Sequence, residues 1–232
     1  MQPKPQLSFF SLMAAGLFLI LSVCCEKEKD PVPTITDIDG NVYHTVTIGT
    51  QVWMVENLKT TRYNDGTEIP KVIDSADWNN LVTPAYCWMD HDSAVIKESY
   101  GALYNWYAVN SGKLCPEGWH VPTSAEWESL IDYLGGIDVA GGKLKESGLD
   151  HWAEPNEGAT NISGFAALPG GCRVIMENYF LYFQFKGYWW TSSEEDTENA
   201  WWWSLDYAGT NVIGYFIAKQ YGFSVRCIKD SE

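Results

Sequence analysis

Glu154-Pro155-Asn156 sets a carboxylate and a carboxamide on either side of a proline. Ca²⁺ collects several oxygen ligands from groups of this kind, and a cis proline would splay both side chains toward one ion. Asn161, a few residues on, and Asp206, in a later strand-like run, add two more oxygen donors. The chemistry this set would support is a Ca²⁺ ion that holds sugar hydroxyls. The competing reading is a turn-rich loop, PNEGATN, whose Asn side chains bond to backbone. Aromatic residues offer a second route to a glycan or a protein partner. Trp201, Trp202 and Trp203 are consecutive, as are Trp189 and Trp190. In a strand, successive side chains point to opposite faces, so Trp202 opposes its two neighbours. Rings left exposed would form a platform that stacks on sugar, whereas rings buried on both faces would be core.

Enzymatic chemistry has less to draw on. There is no GxSxG elbow, and His44, His91, His120 and His151 fall into neither a metal spacing nor a triad pattern. Cys87, Cys115, Cys172 and Cys227 lack the closely spaced Cys/His pairs of a zinc site. The acidic runs Asp90-His91-Asp92 and Glu194-Glu195-Asp196 read as solvated loop faces. The expectation is a protein that binds rather than catalyses.

The elements that must position these groups are mostly strands. An Asp39-Gly40 turn between β-rich runs predicts a hairpin. In VYHTVTI, the residues Val42, His44, Val46 and Ile48 form the more apolar face. Residues 71 to 100 carry little pattern and read as a long loop. In GWHVPTSAEWESL, Thr123 and Glu126 have the spacing of a capping box, and Trp127, Leu130, Ile131 and Leu134 share one helical face that Gly135-Gly136 ends. A weaker helix is expected in DVAGGKLKES, with Gly148 as its stop. From residue 164 the chain reads as strands separated by turns. The class is α+β, with antiparallel sheets, two short helices and long loops.

Bulk properties narrow the partners. The 232 residues carry a net charge of −15 and include 12 Trp, 13 Tyr and 9 Phe. That aromatic content can fill a sizeable core. The charge argues against nucleic acid, which would repel it. An apolar run from Leu7 to Val23 stops at Cys24-Cys25 and gives way to EKEKDPVPT. This pattern fits a signal peptide over residues 1–24, a charged tether over 25–33 and a domain over 34–232. LSVCC resembles a bacterial lipobox. Cys25 has a small residue before it and Cys24 has Leu21 three residues before it, so either can carry the lipid. The acidic stretch that follows resembles the export signal of Bacteroidetes-type lipoproteins, which implies the outer membrane, facing outward.

Ordered motifs then identify the chain as similar to the Fibrobacter succinogenes major paralogous domain family, exported bacterial proteins without an assigned activity. They are TVTIGTQVWMVENLKTTRYNDG, YGALYNWYAV, LCPEGWHVPTSAEWE, GGKLKESG, PNEGATNISGFAALPGG, GYWWTSSE and GFSVRCIKD. Together they cover about residues 34 to 230. HVPTSAEWE and SVRC further resemble two segments of formylglycine-generating enzymes, which implies a C-type-lectin-like fold. In those enzymes a Cys just before the first segment pairs with the Cys of the second. Carried over, this implies a Cys115–Cys227 disulfide and leaves Cys87 and Cys172 to pair or stay free. The same enzymes need two closely spaced Cys before the terminal segment, and VIGYFIAKQYGFSV has none. Glu154-Pro155-Asn156 matches the tripeptide of mannose-type C-type lectins, but Trp203 to Asp206 is a poor substitute for their Trp-Asn-Asp. The role that results is a lipid-anchored surface module that binds a glycan or a surface protein, with a structural subunit of a surface assembly, and after it an enzyme of unrecognised type, as the alternatives.

Overall fold

The computed structural model describes residues 32–89, 94–176 and 180–231, together with the first two. The leader, Cys24, Cys25, most of the tether and the Asp90-His91-Asp92 run lie outside the described residues. Val32–Glu232 is one compact unit that holds all three apolar cores and the disulfide.

The Asp39-Gly40 turn joins β1 (Thr34–Thr36) to β2 (Val42–Ile48), with Thr36 opposite Val42. The Asp37 carboxylate pins it by accepting from the backbone N–H of Asp39 and Asn41 and from the Tyr43 hydroxyl at 2.6 Å. That last bond corrects the sequence reading of β2. Tyr43 is fully buried, while Val42 and His44 face out, with the His44 ring on Glu56. Further along, Ile48 turns inward, so the buried face changes over within one strand.

β3 (Gln51–Met54), β12 (Ile228–Lys229) and β6 (Trp119–His120) complete a five-stranded sheet ordered β1-β2-β3-β12-β6. The chain's last strand thus lies between two early ones. A second sheet has the order β11-β10-β9, from β9 (Lys186–Glu194), β10 (Asn199–Asp206) and β11 (Val212–Ala218). Two small ribbons, β4 (Tyr86–Trp88) with β5 (Ala102–Tyr104) and β7 (Cys172–Arg173) with β8 (Phe180–Leu181), are also antiparallel. The class is α+β.

Helices are more numerous and shorter than the sequence suggests. Residues 71–100 contain α1 (Ser75–Asn79) and α2 (Ala94–Tyr100) rather than one long loop. α1 forms because Asp74 caps it through the N–H groups of Ala76 and Asp77 and because Trp78 is fully buried. One turn of helix is too short to print a periodicity. α3 (Trp106–Val109) is capped in the same way by Asn105. α4 (Ser124–Tyr133) carries the expected capping box and buries Trp127, Leu130 and Ile131. α5 (Ala140–Leu144) stops well short of Gly148. A Cβ on Gly141 would lie 2.6 Å from the Thr210 carbonyl, and one on Gly142 would lie 2.5 Å from the Gly158 carbonyl. The glycine pair lets two loops rest on this helix.

Cys115 and Cys227 are joined, with Cα atoms 6.0 Å apart and a sequence separation of 112. Beside the bond, Arg226 is 1 % exposed and stacks on Phe165 with 4.1 Å to the ring centroid. It donates to the Phe165 carbonyl and, at 3.1 Å, to Asn57 Oδ1. Asn57 in turn accepts from Trp189 Nε1 and donates to the Tyr100 carbonyl and Ser224 Oγ.

Replacing both bridging cysteines by alanine releases a loop of over a hundred residues in the unfolded chain. The chain-entropy relation gives a stability loss of about 4–5 kcal/mol, seen as a lower urea midpoint. An unchanged midpoint would show that the bridge does not constrain the unfolded chain.

Candidate functional site

The 154–161 loop and the end of β10 come together, but around an ammonium rather than a metal. Lys145 is fully buried just after α5, and its Nζ donates to the carbonyls of Glu157, Asp206 and Gly209, each at 2.9 Å. It also lies 5.4 Å from the centroid of the Trp152 ring. Burial pushes the ammonium down to about 8, with Asp206 and Glu157 opposing, so it stays charged at neutral pH.

The remaining oxygen donors are turned elsewhere. The Glu154–Pro155 bond is cis, yet Glu154 is exposed and Asn156 is 6 % exposed. Asn156 Nδ2 donates to the carbonyls of Glu146 and Gly148, which aims the amide inward. Asn161 Oδ1 accepts from the Ala166 N–H. Asp206 accepts from Lys186 Nζ and from the Ala208 N–H, both at 2.8 Å. Among the described residues, no cluster of three or more His, Cys, Asp or Glu side chains could hold a metal. Asn156 Oδ1 has no hydrogen-bond partner and is buried. These groups do not fit Ca²⁺, because a fixed cation already draws the carbonyls and the carboxylates are engaged or apart.

The Trp strands divide. Trp189 and Trp190 are 0 % exposed and Trp203 is 6 % exposed, so these three are core and cannot form a platform. Trp189 lies 6.0 Å from Trp127, and Trp190 lies 4.5 Å from Phe223. Trp201 is half-buried, with Nε1 bonded to Glu195 at 2.7 Å. Trp202 reaches a cavity. It lines a cleft of about 260 Å³ with Tyr188, Tyr221, Phe223, Ile217 and Cys172. Tyr188 stacks on Phe223 at 5.1 Å, and Trp202 meets Phe223 edge-on at 5.9 Å. Such a wall is mainly apolar, with tyrosines to supply hydroxyls. The Cys172 thiol is pushed up to about 12 by burial, and the buried Cys87 thiol to about 11. Both are free and buried, which favours the neutral thiol over the reactive thiolate.

A second, polar groove of about 790 Å³ is lined by Asp39, Thr61, Arg62, Glu68, Lys71 and Tyr86. Its central carboxylate is already engaged. Asp39 accepts from the Thr61 N–H at 2.6 Å and from Arg62 Nε at 2.5 Å. Burial would raise this carboxyl, but those bonds outweigh it and hold it below its usual range.

His120, which the sequence places before the capped helix, belongs to the architecture. Its Nδ1 lies 2.6 Å from Asp230 and its Nε2 lies 2.9 Å from Glu126. The same Glu126 accepts from the Thr123 N–H at 2.8 Å. One carboxylate therefore closes the α4 cap and orients the imidazole.

Sequence reasoning did not find Lys145, Tyr221 or Phe223. A lysine in GGKLKES looks like any surface lysine. The available clue was the adjacent glycine pair, which lets carbonyl-bearing loops come within reach of it.

The family model described as the Fibrobacter succinogenes major domain matches residues 46–229, and the chain belongs to that family. Comparison with curated proteins and with solved structures gives no match.

Two outcomes follow from this geometry. Lys145→Met leaves three inward carbonyls unpartnered and costs about 3 kcal/mol or more, while Ca²⁺ and EDTA leave the wild-type melting temperature equal. A Ca²⁺-dependent rise in melting temperature would overturn the metal-free account. For His120, burial alone lowers the imidazolium, but the bonds to Asp230 and Glu126 outweigh it and raise the group above 6.5. Burial raises Glu126, but Thr123 and His120 bring it below 4.5. The His120 contribution is complete below 6.5 and lost as pH rises through its raised value. The Glu126 contribution is complete above 4.5 and lost as pH falls. Stability from the pair therefore peaks between those limits, and His120→Gln flattens the alkaline side of a melting-temperature profile. A profile unchanged by His120→Gln would exclude this linkage.

Proposed function

We propose that the protein is an exported, lipid-anchored surface module that binds rather than catalyses, and that its ligand is a sugar ring held in the aromatic cleft at Trp202. The observation that carries this reading is the wall of that cleft. Trp202, Tyr188, Tyr221 and Phe223 surround a space of about 260 Å³. Small-molecule pockets generally begin near ~300 Å³, so the cleft suits one ring rather than a cofactor. The flat C–H face of a sugar stacks on such rings, while tyrosine hydroxyls meet its hydroxyls. The anchor is inferred from the LSVCC lipobox at Cys24 or Cys25 and the acidic tether, which point to the outer membrane facing outward.

We also propose that the α+β architecture is C-type-lectin-like. Two features support this assignment. The last strand, β12, lies beside β3, and the Cys115–Cys227 bridge links the start of that strand to the segment before α4. Binding in this module is independent of Ca²⁺, because Lys145 takes the cation's place in the 154–161 loop.

A glycan array probed with residues 32–232, in Ca²⁺ and again in EDTA, tests the reading. The expected result is equal binding in both, weakened about tenfold or more by Trp202→Ala, the effect of roughly 1.4 kcal/mol. Binding abolished by EDTA, or binding that survives Trp202→Ala unchanged, would place the ligand elsewhere.

A further inference from the structure

The second sheet ends on one side in a strand that, beyond its first residue, no other backbone pairs with among the described residues. The far edge of β9 is closed, since the Trp190 N–H donates to the Ser224 carbonyl and the Ser224 N–H to the Tyr188 carbonyl. β11 is the opposite edge. Two bonds fix the phase of its amides. The Val212 N–H reaches outward to the Ile137 carbonyl, and the Lys219 N–H turns inward to the Glu198 carbonyl. Amides alternate sides along a strand. The N–H groups of Gly214, Phe216 and Ala218 therefore face away from β10, and none has a partner among the described residues.

Natural edge strands are usually blunted by charge, proline or a bulge. β11 reads VIGYFIA and has none of these, and its pairing with β10 is regular from Leu205↔Val212 to Asn199↔Ala218. Ile213 is 43 % exposed and Tyr215 is 57 % exposed. The strand is a run of seven uncharged residues in a chain of net charge −15.

We propose that β11 pairs with β11 of a second copy, antiparallel about a two-fold axis at Tyr215, to give one continuous six-stranded sheet. The strand is self-complementary, because two copies paired here set no like charges opposite one another. The two-fold meets the backbone as well. Centred on Tyr215, it sets Gly214 of each copy against Phe216 of the other, so outward amides meet outward carbonyls. Tyr215 does not line the aromatic cleft, but Ile217 on the same face of β11 does, so the pairing lies beside the proposed glycan site.

Sedimentation equilibrium of residues 32–232 tests this, with loading from about 10 μM to about 1 mM, where a weak edge pairing dissociates. The wild type is expected to rise from monomer to dimer mass. Tyr215→Lys and Tyr215→Glu each set like charges across the two-fold and are expected to stay monomeric, while their equimolar mixture regains the dimer. A wild type that is monomeric at the highest loading would overturn the proposal. So would a dimer unaffected by either substitution, or a mixture of the two variants that fails to associate.

Discussion

A guanidinium with no carboxylate in contact among the described residues sits beside Phe165 and the disulfide, and the fold closes around it. Arg226 stacks on Phe165 and hydrogen-bonds the Phe165 carbonyl and Asn57 Oδ1. Burial works against its charge, with Glu56 opposing that effect. Such a group is tolerable only where oxygens and aromatic faces replace its water. Asn57 makes the arrangement hold. Its amide bonds Trp189, Arg226, Ser224 and the Tyr100 carbonyl, which binds the stretch after β3 to α2, β9 and the C-terminal segment. The disulfide at the next residue, Cys227, fixes that segment covalently.

The same device recurs at the periphery. Lys145 is held by three carbonyls from the 157 and 206–209 loops. Arg173 donates to the carbonyls of Val72, Ile73 and Asp74 and lies 4.2 Å from the centroid of Trp78. Lys219 takes the carbonyls of Asp196 and Thr197 together with Glu194. An irregular loop leaves carbonyl oxygens without ladder partners, and each must find a donor when buried. A cation supplies several donors at one point, so one side chain organises a whole loop. The acidic excess of the chain therefore lies outward, while several of its few cations work inside.

This arrangement bears on binding. Loops held by internal cations are ordered by the chain's own groups. The cleft is lined from β9, β10 and β11, from the β7–β8 ribbon through Cys172, Val174, Leu181 and Tyr182, and from the segment around Phe223, which β9 bonds directly. The sheet that builds part of its wall also presents the open edge, so the proposed ligand site and the proposed pairing of copies share one element.

Local rules made several features legible in the sequence. The Asp39-Gly40 hairpin, the Thr123/Glu126 capping box and the helix ending at Gly135 depend on contacts within a few residues, and the structure shows each. The α+β class follows from the periodicities. The Cys115–Cys227 bridge came from resemblance, since spacing alone leaves the pairings open. Tertiary structure decided what depends on contacts between distant segments. It chose which face of β2 is buried, because Asp37 draws in the Tyr43 hydroxyl. It sorted the tryptophans, because strand alternation predicts opposite faces but not which face another layer covers. It turned the Glu154-Pro155-Asn156 loop from a metal site into a backbone cradle, because the ammonium that fills it comes from Lys145 and is delivered by a glycine pair. A sequence shows which groups could bind a cation, but only the folded chain shows that one of its own cations is already there.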